Sequence, residues 1–193
     1  MIYLGYFKRP LDIAFAILLA VSFSWLILII LLAYLVSWNL PIFFRQSRIG
    51  KDAICFTMWK FRTLNFLGDV PNEVKRFGLG NFLRATSMDE LPQLVNVLKG
   101  DMSMVGPRPL PEAYFHFIKA ADQVRHTIRP GVTGLVQVSG RHTLSWKEKF
   151  ELDSHYVSNL SFWMDLKIIY KTILVILSFR KDISLEEKPL TGF

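Results

Sequence analysis

The chain contains 193 residues, of which 51% are hydrophobic and 20% are charged, and 23 Lys and Arg residues against 16 Asp and Glu residues give a net charge of +7. This length suits one domain of ordinary size, and the hydrophobic fraction excludes a disordered chain. The single cysteine, Cys55, excludes an intramolecular disulfide framework and a zinc site of paired cysteines. The positive charge predicts an anionic partner, which could be a nucleic acid, a phosphorylated small molecule or an acidic membrane surface.

An uncharged and mostly apolar segment runs from Ile13 to Phe44. As one straight helix it would measure roughly 48 Å, against a hydrocarbon core of about 30 Å, so it must tilt, bend back or extend beyond the membrane. Basic residues flank both ends, since Lys8 and Arg9 precede the segment and Arg45 follows it. Because basic flanks disfavour translocation, a re-entrant hairpin with both ends in the cytoplasm is an alternative to a single-pass helix.

The rest of the chain is typical of a mixed α/β domain. Ala53–Leu64 is rich in β-branched and aromatic residues and predicts a strand. The periodic apolar run of residues 87–100 predicts a short helix that ends at Gly100, and residues 112–126 predict a further helical stretch. The glycine-rich residues 131–140 bracket a short predicted strand.

The C-terminal part ends in a predicted amphipathic helix. Residues 162–179 alternate apolar runs with Lys167 and Lys171. This pattern fits a helix that lies on the membrane surface with its lysines toward the headgroups. A core helix of the globular domain is the alternative.

Two adjacent carboxylates, Asp89 and Glu90, follow Ser87 at the start of the predicted helix. Ser-x-x-Glu is a capping box, in which Ser87 and Glu90 would satisfy backbone donors while Asp89 favours the helix dipole. The same pair, placed among cations, would suit Mg²⁺ with a phosphate ligand, or one carboxylate could act as a nucleophile. Adjacent helical residues point about 100° apart, so we expect distinct roles for the two carboxylates.

Several basic residues lie in short, stiff or glycine-rich contexts. Arg108 lies in Gly-Pro-Arg-Pro, where proline leaves few backbone conformations. Arginines in such contexts suit bidentate recognition of phosphate. They are not gathered in a stripe, which disfavours nucleic-acid binding, and the sequence has no P-loop, G-x-G-x-x-G or G-x-S-x-G motif. The candidate phosphate-binding residues are Lys60, Arg62, Arg84, Arg108, Arg129 and Arg141.

Seven blocks between Phe7 and Ile176 carry a combined motif pattern. They are FKRPLD, FFRQSRIG, FTMWKFRT, LRATSMDELPQLVNVLKGDMSMVGPRP, IRPGVTGLVQVSGR, LSWKEKFELDSHYV and LSFWMDLKIIYKTI. Together they resemble the bacterial sugar transferases, the polyprenyl-phosphate phosphoglycosyl transferases that initiate glycan assembly, and in particular their small monotopic members. The combination of DELPQL, GDMSxVGPRP and RPGxTGxxQVxGR is very specific.

The resemblance implies that Asp89 is the nucleophile and Glu90 its partner. Asp89 would attack the β-phosphate of a UDP-sugar, release UMP and hold the sugar phosphate as a covalent aspartyl intermediate. Undecaprenyl phosphate would then take up the sugar phosphate, and Mg²⁺ held by Asp89 and Glu90 would offset charge on the diphosphate. The implied substrate-binding residues are Lys60, Arg62, Arg84, Arg108, Arg141 and Asp153. A structural acid that anchors an arginine would look the same as Asp153 in the sequence.

The expected fold is α+β in two parts, at the cytoplasmic face of the bacterial inner membrane. Residues 1–44 would form a membrane-embedded re-entrant helix, and residues 45–193 a cytoplasmic catalytic domain with a C-terminal amphipathic helix. Ser24-Trp25 stands where the family usually has Ser-Pro at the bend, so proline is missing as a cause of the kink. The alternatives to the enzyme are a non-catalytic membrane-anchored binding protein and a polyprenyl-phosphate phosphatase. The motifs specify neither the sugar nor the oligomeric state.

Overall fold

The computed structural model describes residues 2–38, 40–65, 77–140 and 143–178. Helices combine with small sheets, which confirms the α+β prediction. After a π-helical turn at Tyr3–Phe7, the elements are α1 (Lys8–Ser22), α2 (Ser24–Val36), β1 (Phe43–Ile49), β2 (Cys55–Phe61), α3 (Gly78–Thr86), α4 (Gln93–Lys99), β3 (Ser103–Val105), β4 (Gly131–Thr133), α5 (Leu135–Ser139), α6 (Trp146–Ser158) and α7 (Phe162–Leu177). Short 3₁₀ segments are Lys51–Ala53, Met88–Glu90, Glu112–Phe117 and Ala120–His126.

The apolar N-terminal segment is a pair of helices with a bend between them. Among the described residues no single helix is long and apolar enough to cross a membrane, whereas Tyr3–Ser22 and Ser24–Val36 together meet this requirement and are bent by 58°. The break lies at Phe23, directly before the Ser24-Trp25 pair, and Ser24 Oγ donates a hydrogen bond to the Val21 carbonyl at 2.8 Å. The bend therefore forms without proline.

Two small sheets organise the rest of the chain. β1 pairs antiparallel with β2, with Phe44 opposite Lys60, and β3 pairs in parallel with β4. The strand predicted within Ala53–Leu64 is confirmed as β2. The helical stretch predicted for residues 112–126 forms two 3₁₀ segments, and the glycine-rich segment continues after β4 into the unpredicted helix α5.

The capping box predicted from Ser87 and Glu90 is wrong. Ser87 adopts a left-handed backbone conformation with φ of 61°, and its side chain makes no capping hydrogen bond in the described segment 77–140. The Glu90 carboxylate instead contacts Lys60, a residue distant in sequence. Asp89 and Glu90 lie in a 3₁₀ turn, and α4 begins three residues later and ends at Gly100, whose φ is 102°.

Buried polar contacts fasten α1 to the part of the chain that contains β3 and α7. Asp165 of α7 accepts hydrogen bonds from Lys8 Nζ at 2.6 Å and from Tyr156 Oη at 2.6 Å. Asp12 of α1 accepts a hydrogen bond from Ser103 Oγ of β3 at 2.7 Å. All of these side chains are buried, so the first helix of the bent pair is bound to β3 and α7 through groups that are shielded from water.

The second helix of the bent pair packs on the turn that carries Asp89. One buried apolar cluster consists of Ile30, Tyr34, Phe61 and Leu83. Met88, which precedes Asp89, packs against this cluster, and Tyr34 Oη donates a hydrogen bond to the Arg62 carbonyl. Both helices of the pair therefore contact the domain that follows them.

Helix α7 has one buried side and one exposed apolar side. It buries Asp165 and Ile168 and exposes Trp163, Tyr170 and Leu177. The two alternatives from the sequence thus describe two sides of one helix, because the first side belongs to the core while the second has the composition of an interfacial helix.

Candidate active site

The two carboxylates differ in their surroundings. Asp89 is only 7% exposed. The Oε1 atom of Glu90 lies 2.8 Å from Lys60 Nζ and 3.9 Å from Arg108 Nη1. Glu90 is therefore oriented by cations from β2 and from the loop after β3, whereas Asp89 is buried. Distinct surroundings fit the expectation of distinct roles.

Asn96 fixes the strand that carries Lys60 against the helix that follows Glu90. Its Oδ1 accepts a hydrogen bond from Trp59 N at 3.2 Å, and its Nδ2 donates to the Thr57 carbonyl at 2.8 Å. The side chain of Asn96 is fully buried. Because both partners are backbone groups of β2, the amide fixes the position of this strand along α4 and with it the distance from Lys60 to Glu90.

A pocket rich in positive charge opens beside Glu90, because Lys60 and Arg108, which contact this carboxylate, line it. Neither Asp89 nor Glu90 is itself among its lining residues in the described part of the chain. Its polar lining consists of Arg48, Lys60, Gln93 and Arg108, and Met58 and Val132 contribute apolar walls. Three cations around one pocket favour a ligand with several negative charges, such as a diphosphate. Arg48 and Gln93 are not among the residues predicted from the sequence. A signal for Arg48 existed, because it lies in the FFRQSRIG block on the same face of the hairpin as Lys60.

Close packing of glycines positions the loop that carries Arg108. A Cβ atom on Gly106 would lie 2.5 Å from the Arg129 carbonyl oxygen and 2.8 Å from Gly131 N. Only glycine permits this approach between the ends of β3 and β4, so the segment Gly106-Pro-Arg-Pro begins at a fixed point.

Arg62 lies at the junction between the bent helix pair and the sheet. Its Nε donates to the Pro41 carbonyl at 2.8 Å, its Nη1 donates to the Leu64 carbonyl at 3.1 Å, and the guanidinium lies 5.4 Å from the ring centre of Phe77. Arg62 is buried and does not line the pocket as the described residues define it. These contacts place the end of α2 relative to β2.

The other predicted cations lie in separate places. Arg84 lies in the last turn of α3 and is absent from the pocket lining among the described residues. Arg129 donates from Nε to the Gly100 carbonyl at 2.7 Å, at the end of α4. Arg141 lies outside the described residues.

Asp153 anchors an arginine that the sequence argument missed. Its Oδ2 lies 3.1 Å from Arg125 Nη2, and the two side chains are 4% and 3% exposed. Burial raises the pKa of Asp153 to about 6, and the guanidinium of Arg125 opposes this rise. Arg125 Nη2 also donates to the carbonyl oxygen of Arg108 at 2.5 Å. Asp153 is thus connected to the pocket through the backbone of Arg108.

The carboxylates of Asp89 and Glu90 would suit a magnesium ion whose remaining ligands come from elsewhere. Within the described ranges, no three His, Cys, Asp or Glu side chains are grouped to hold a metal ion. Asp89 and Glu90 are two adjacent carboxylates, and Mg²⁺ binds through one or two carboxylates completed by substrate phosphates and water. The donor set therefore suits Mg²⁺ accompanied by a phosphorylated ligand.

Comparison with known proteins adds a family and several relatives. The model of the family described as "Bacterial sugar transferase" matches residues 3–179. The chain is 43% identical over 175 residues to the "Uncharacterized sugar transferase EpsL" of Bacillus subtilis, which covers 88% of this chain and 87% of that protein. It is 38% identical over 181 residues to the "UDP-glucose:undecaprenyl-phosphate glucose-1-phosphate transferase" of Escherichia coli, covering 86% of this chain and 39% of the relative.

The name of a further relative refers to galactose. The "Undecaprenyl-phosphate galactose phosphotransferase" of Salmonella typhimurium is 35% identical over 202 residues, covering 92% of this chain and 41% of that protein. The chain thus spans about two fifths of the length of these Escherichia coli and Salmonella typhimurium relatives and 87% of EpsL.

Proposed function

Since the chain belongs to the bacterial sugar transferase family and is a phosphoglycosyl transferase, we propose that it transfers a sugar-1-phosphate from a UDP-sugar to undecaprenyl phosphate and releases UMP. Relatives named for this transfer to undecaprenyl phosphate support the reaction class. The observation that carries the proposal is the pairing of Glu90 with Lys60 and Arg108, next to Asp89 and beside a pocket lined by three cations.

The proposed reaction has two displacements at one phosphorus atom. In the first, a carboxylate oxygen of Asp89 attacks the β-phosphorus of the UDP-sugar, and the bond from this phosphorus to the bridging oxygen breaks, so that UMP leaves with that oxygen. In the second, a phosphate oxygen of undecaprenyl phosphate attacks the same phosphorus. The bond to Asp89 breaks, the carboxylate is regenerated and undecaprenyl diphosphate-sugar is formed.

The cations of the pocket and the two carboxylates would have separate roles in binding the donor and the metal ion. Lys60, Arg108 and Arg48 would neutralise the diphosphate of the donor, because phosphoryl transfer depends mainly on positioning and charge stabilisation. Asp89 and Glu90 would hold Mg²⁺, which supplies Lewis-acid polarisation of phosphoryl oxygens when bound. The burial of Asp89 would limit access of water to the aspartyl intermediate, and therefore its hydrolysis.

The proposed location is the cytoplasmic face of the bacterial inner membrane, with residues 1–44 re-entrant and residues 45–193 forming the catalytic domain. Support comes from contacts at both ends of the bent pair, since Lys8 of α1 pairs with Asp165 and Tyr34 of α2 contacts Arg62. A straight spanning helix would separate two such ends by about 30 Å of hydrocarbon. The exposed Trp163 of α7 would lie at the interface, where a polyprenyl phosphate presents its headgroup.

The test is a UMP-release assay over a panel of UDP-sugars with Mg²⁺ and undecaprenyl phosphate. We expect release from one donor by the wild-type chain and its loss in Asp89→Asn. Glu151→Gln, which makes the same chemical change at an exposed residue of α6, should keep wild-type activity. Release that persists unchanged in Asp89→Asn would remove this residue as the nucleophile.

A second measurement separates the enzyme from its alternatives. In the presence of the reactive UDP-sugar without acceptor, the mass of the intact wild-type chain should rise by one sugar phosphate, and Asp89→Asn should show no such adduct. Nucleotide binding without turnover of any donor would favour a binding protein. Inorganic phosphate liberated from undecaprenyl phosphate would favour a phosphatase.

A further inference from the structure

The loop that presents Arg108 is held through its carbonyl groups. Two successive carbonyl oxygens accept hydrogen bonds from arginines of other elements. Arg125 Nη2 donates to the Arg108 carbonyl at 2.5 Å, and Arg48 Nη1 donates to the Pro109 carbonyl at 3.0 Å. Because Pro107 and Pro109 have no backbone N–H, carbonyl oxygens are the main groups through which this segment can be fastened.

The two arginines that hold the loop are themselves fixed. Arg125 pairs with Asp153 of α6 at 3.1 Å, and its guanidinium lies 5.3 Å from the ring centre of Phe150. Arg48 Nη2 donates to Gln46 Oε1 at 2.6 Å. Hydrogen bonds from charged donors are stronger than those between neutral groups. Residues of β1, of the 3₁₀ segment Ala120–His126 and of α6 therefore converge on one dipeptide.

Arg125 and Asp153 do not line the pocket as the described residues define it, whereas Arg48 and Arg108 do. Both members of the ion pair are almost completely buried. The contact that connects the pair to the pocket lining is the hydrogen bond from Arg125 to the Arg108 carbonyl. Arg48 could contact a ligand directly and also hold the loop, so the Arg125–Asp153 pair is the better test of the loop-holding role.

We propose that Asp153 and Arg125 are positioning residues, which hold the Arg108 carbonyl so that the Arg108 guanidinium is aimed at the donor diphosphate beside Glu90. This role rests on the proposed function, because it assigns Arg108 to the donor phosphates. Asp153 restrains Arg125, Arg125 restrains the loop backbone, and the flanking prolines transmit this restraint to the direction of the Arg108 side chain. Asp153 then affects catalysis without touching substrate.

A double-mutant cycle on the full-length chain tests the proposal. Asp153→Asn and Arg125→Lys should each lower kcat/KM for the UDP-sugar by roughly tenfold or more in UMP release, the expected scale for a lost charged hydrogen bond. In an Arg108→Ala background the same substitutions should lower kcat/KM by less than about twofold, because the side chain that they position is absent. Equal losses in both backgrounds would overturn the proposal.

Arg9→Lys is the matched control. Arg9 also donates to backbone carbonyls, at 2.7 Å to Val97 and at 3.2 Å to Leu98, but it fastens the end of α4. Whatever loss Arg9→Lys causes should be the same with and without Arg108. A general loss of stability would affect both backgrounds alike, so only a positioning role predicts the difference between Arg9 and Arg125.

Hydrogen exchange provides a readout that does not depend on activity. In Asp153→Asn, the amides of Gly106, Arg108 and Leu110 should exchange at least several-fold faster, while those of residues 93–100 keep the wild-type rate. Unchanged exchange in the loop would overturn the proposal even if the chain is an active enzyme. Faster exchange in a chain that releases no UMP would support the restraint and refute the proposed function, so the two failures are distinguishable.

Discussion

Replacing Lys60 with methionine tests whether Glu90 is oriented by its cationic neighbours. The substitution keeps the approximate length of the side chain and removes its charge. Lys60 Nζ lies 2.8 Å from Glu90 Oε1, and the two side chains are 16% and 18% exposed. Arg108, at 3.9 Å, would stay beside this oxygen, but it is too distant for a direct hydrogen bond.

The expected magnitude follows from the burial of this pair. A hydrogen bond between charged groups contributes about 1.5–3 kcal/mol, and a mostly buried pair belongs in the upper part of this range. A loss of about 2–3 kcal/mol of transition-state stabilisation corresponds to a decrease in kcat/KM of roughly 30- to 150-fold. The change also removes one of the three cations that line the pocket.

The assay is UMP release over a range of UDP-sugar concentrations, with Lys147→Met as the control. Lys147 forms an ion pair with Glu151 at 3.9 Å, and these side chains are 81% and 64% exposed. Exposed pairs contribute little, so the control should change kcat/KM by less than about twofold. If Lys60→Met and Lys147→Met gave the same value, the assignment of Lys60 to the active site would be refuted.

Three further predictions concern pH, stability and topology. The difference in free energy of unfolding between the wild-type chain and Asp153→Asn, taken as wild type minus variant, should fall as pH rises from about 4 to about 6. The reason is that burial raises the folded-state pKa of Asp153 to about 6, so the folded chain holds this proton more tightly than the unfolded chain. A difference that rises with pH in denaturation experiments would contradict this sign. Asn96→Leu should lower the free energy of unfolding by about 2–4 kcal/mol in chemical denaturation, because two backbone groups of β2 lose their partner, whereas the exposed Asn159→Leu should change it by less than about 1 kcal/mol. An Ile2→Cys variant with Cys55 replaced by serine should resist a membrane-impermeant thiol reagent in intact spheroplasts and react after permeabilisation; labelling of intact spheroplasts would indicate a spanning helix.

Local patterns identified the parts of the site, and long-range contacts decided how they meet. The β-branched and aromatic richness of β2 and the stop signal at Gly100 are properties of neighbouring residues, so the strand and the end of α4 could be predicted. The capping box failed because Glu90 has a better partner in Lys60, 30 positions away. Short-range rules describe what Glu90 can do within its own turn, and they contain no information about a strand that packs against that turn.

The arginines also show that local sequence patterns do not determine tertiary contacts. The stiff context singled out Arg108, which lines the pocket, because its prolines act within the segment itself. The same reasoning treated Arg62 and Arg108 alike, although Arg62 donates to the carbonyls of Pro41 and Leu64. Arg125 carries no local signal, because its partners are a carboxylate 28 positions later and a carbonyl 17 positions earlier. Which arginine meets a ligand and which meets the backbone depends on the tertiary fold.

The contact between Lys8 and Asp165 sets an order of events during synthesis. The two residues are 157 positions apart, and in the finished fold the ammonium group has almost no access to water. At a translation rate of about 5–20 residues per second, Lys8 is incorporated roughly 8–30 s before its partner Asp165. Burying an unpaired charge costs free energy, so α1 cannot pack in its final position during this interval. Helix α1 therefore docks late, and a chain whose synthesis stops before α7 still has this helix without its buried partner.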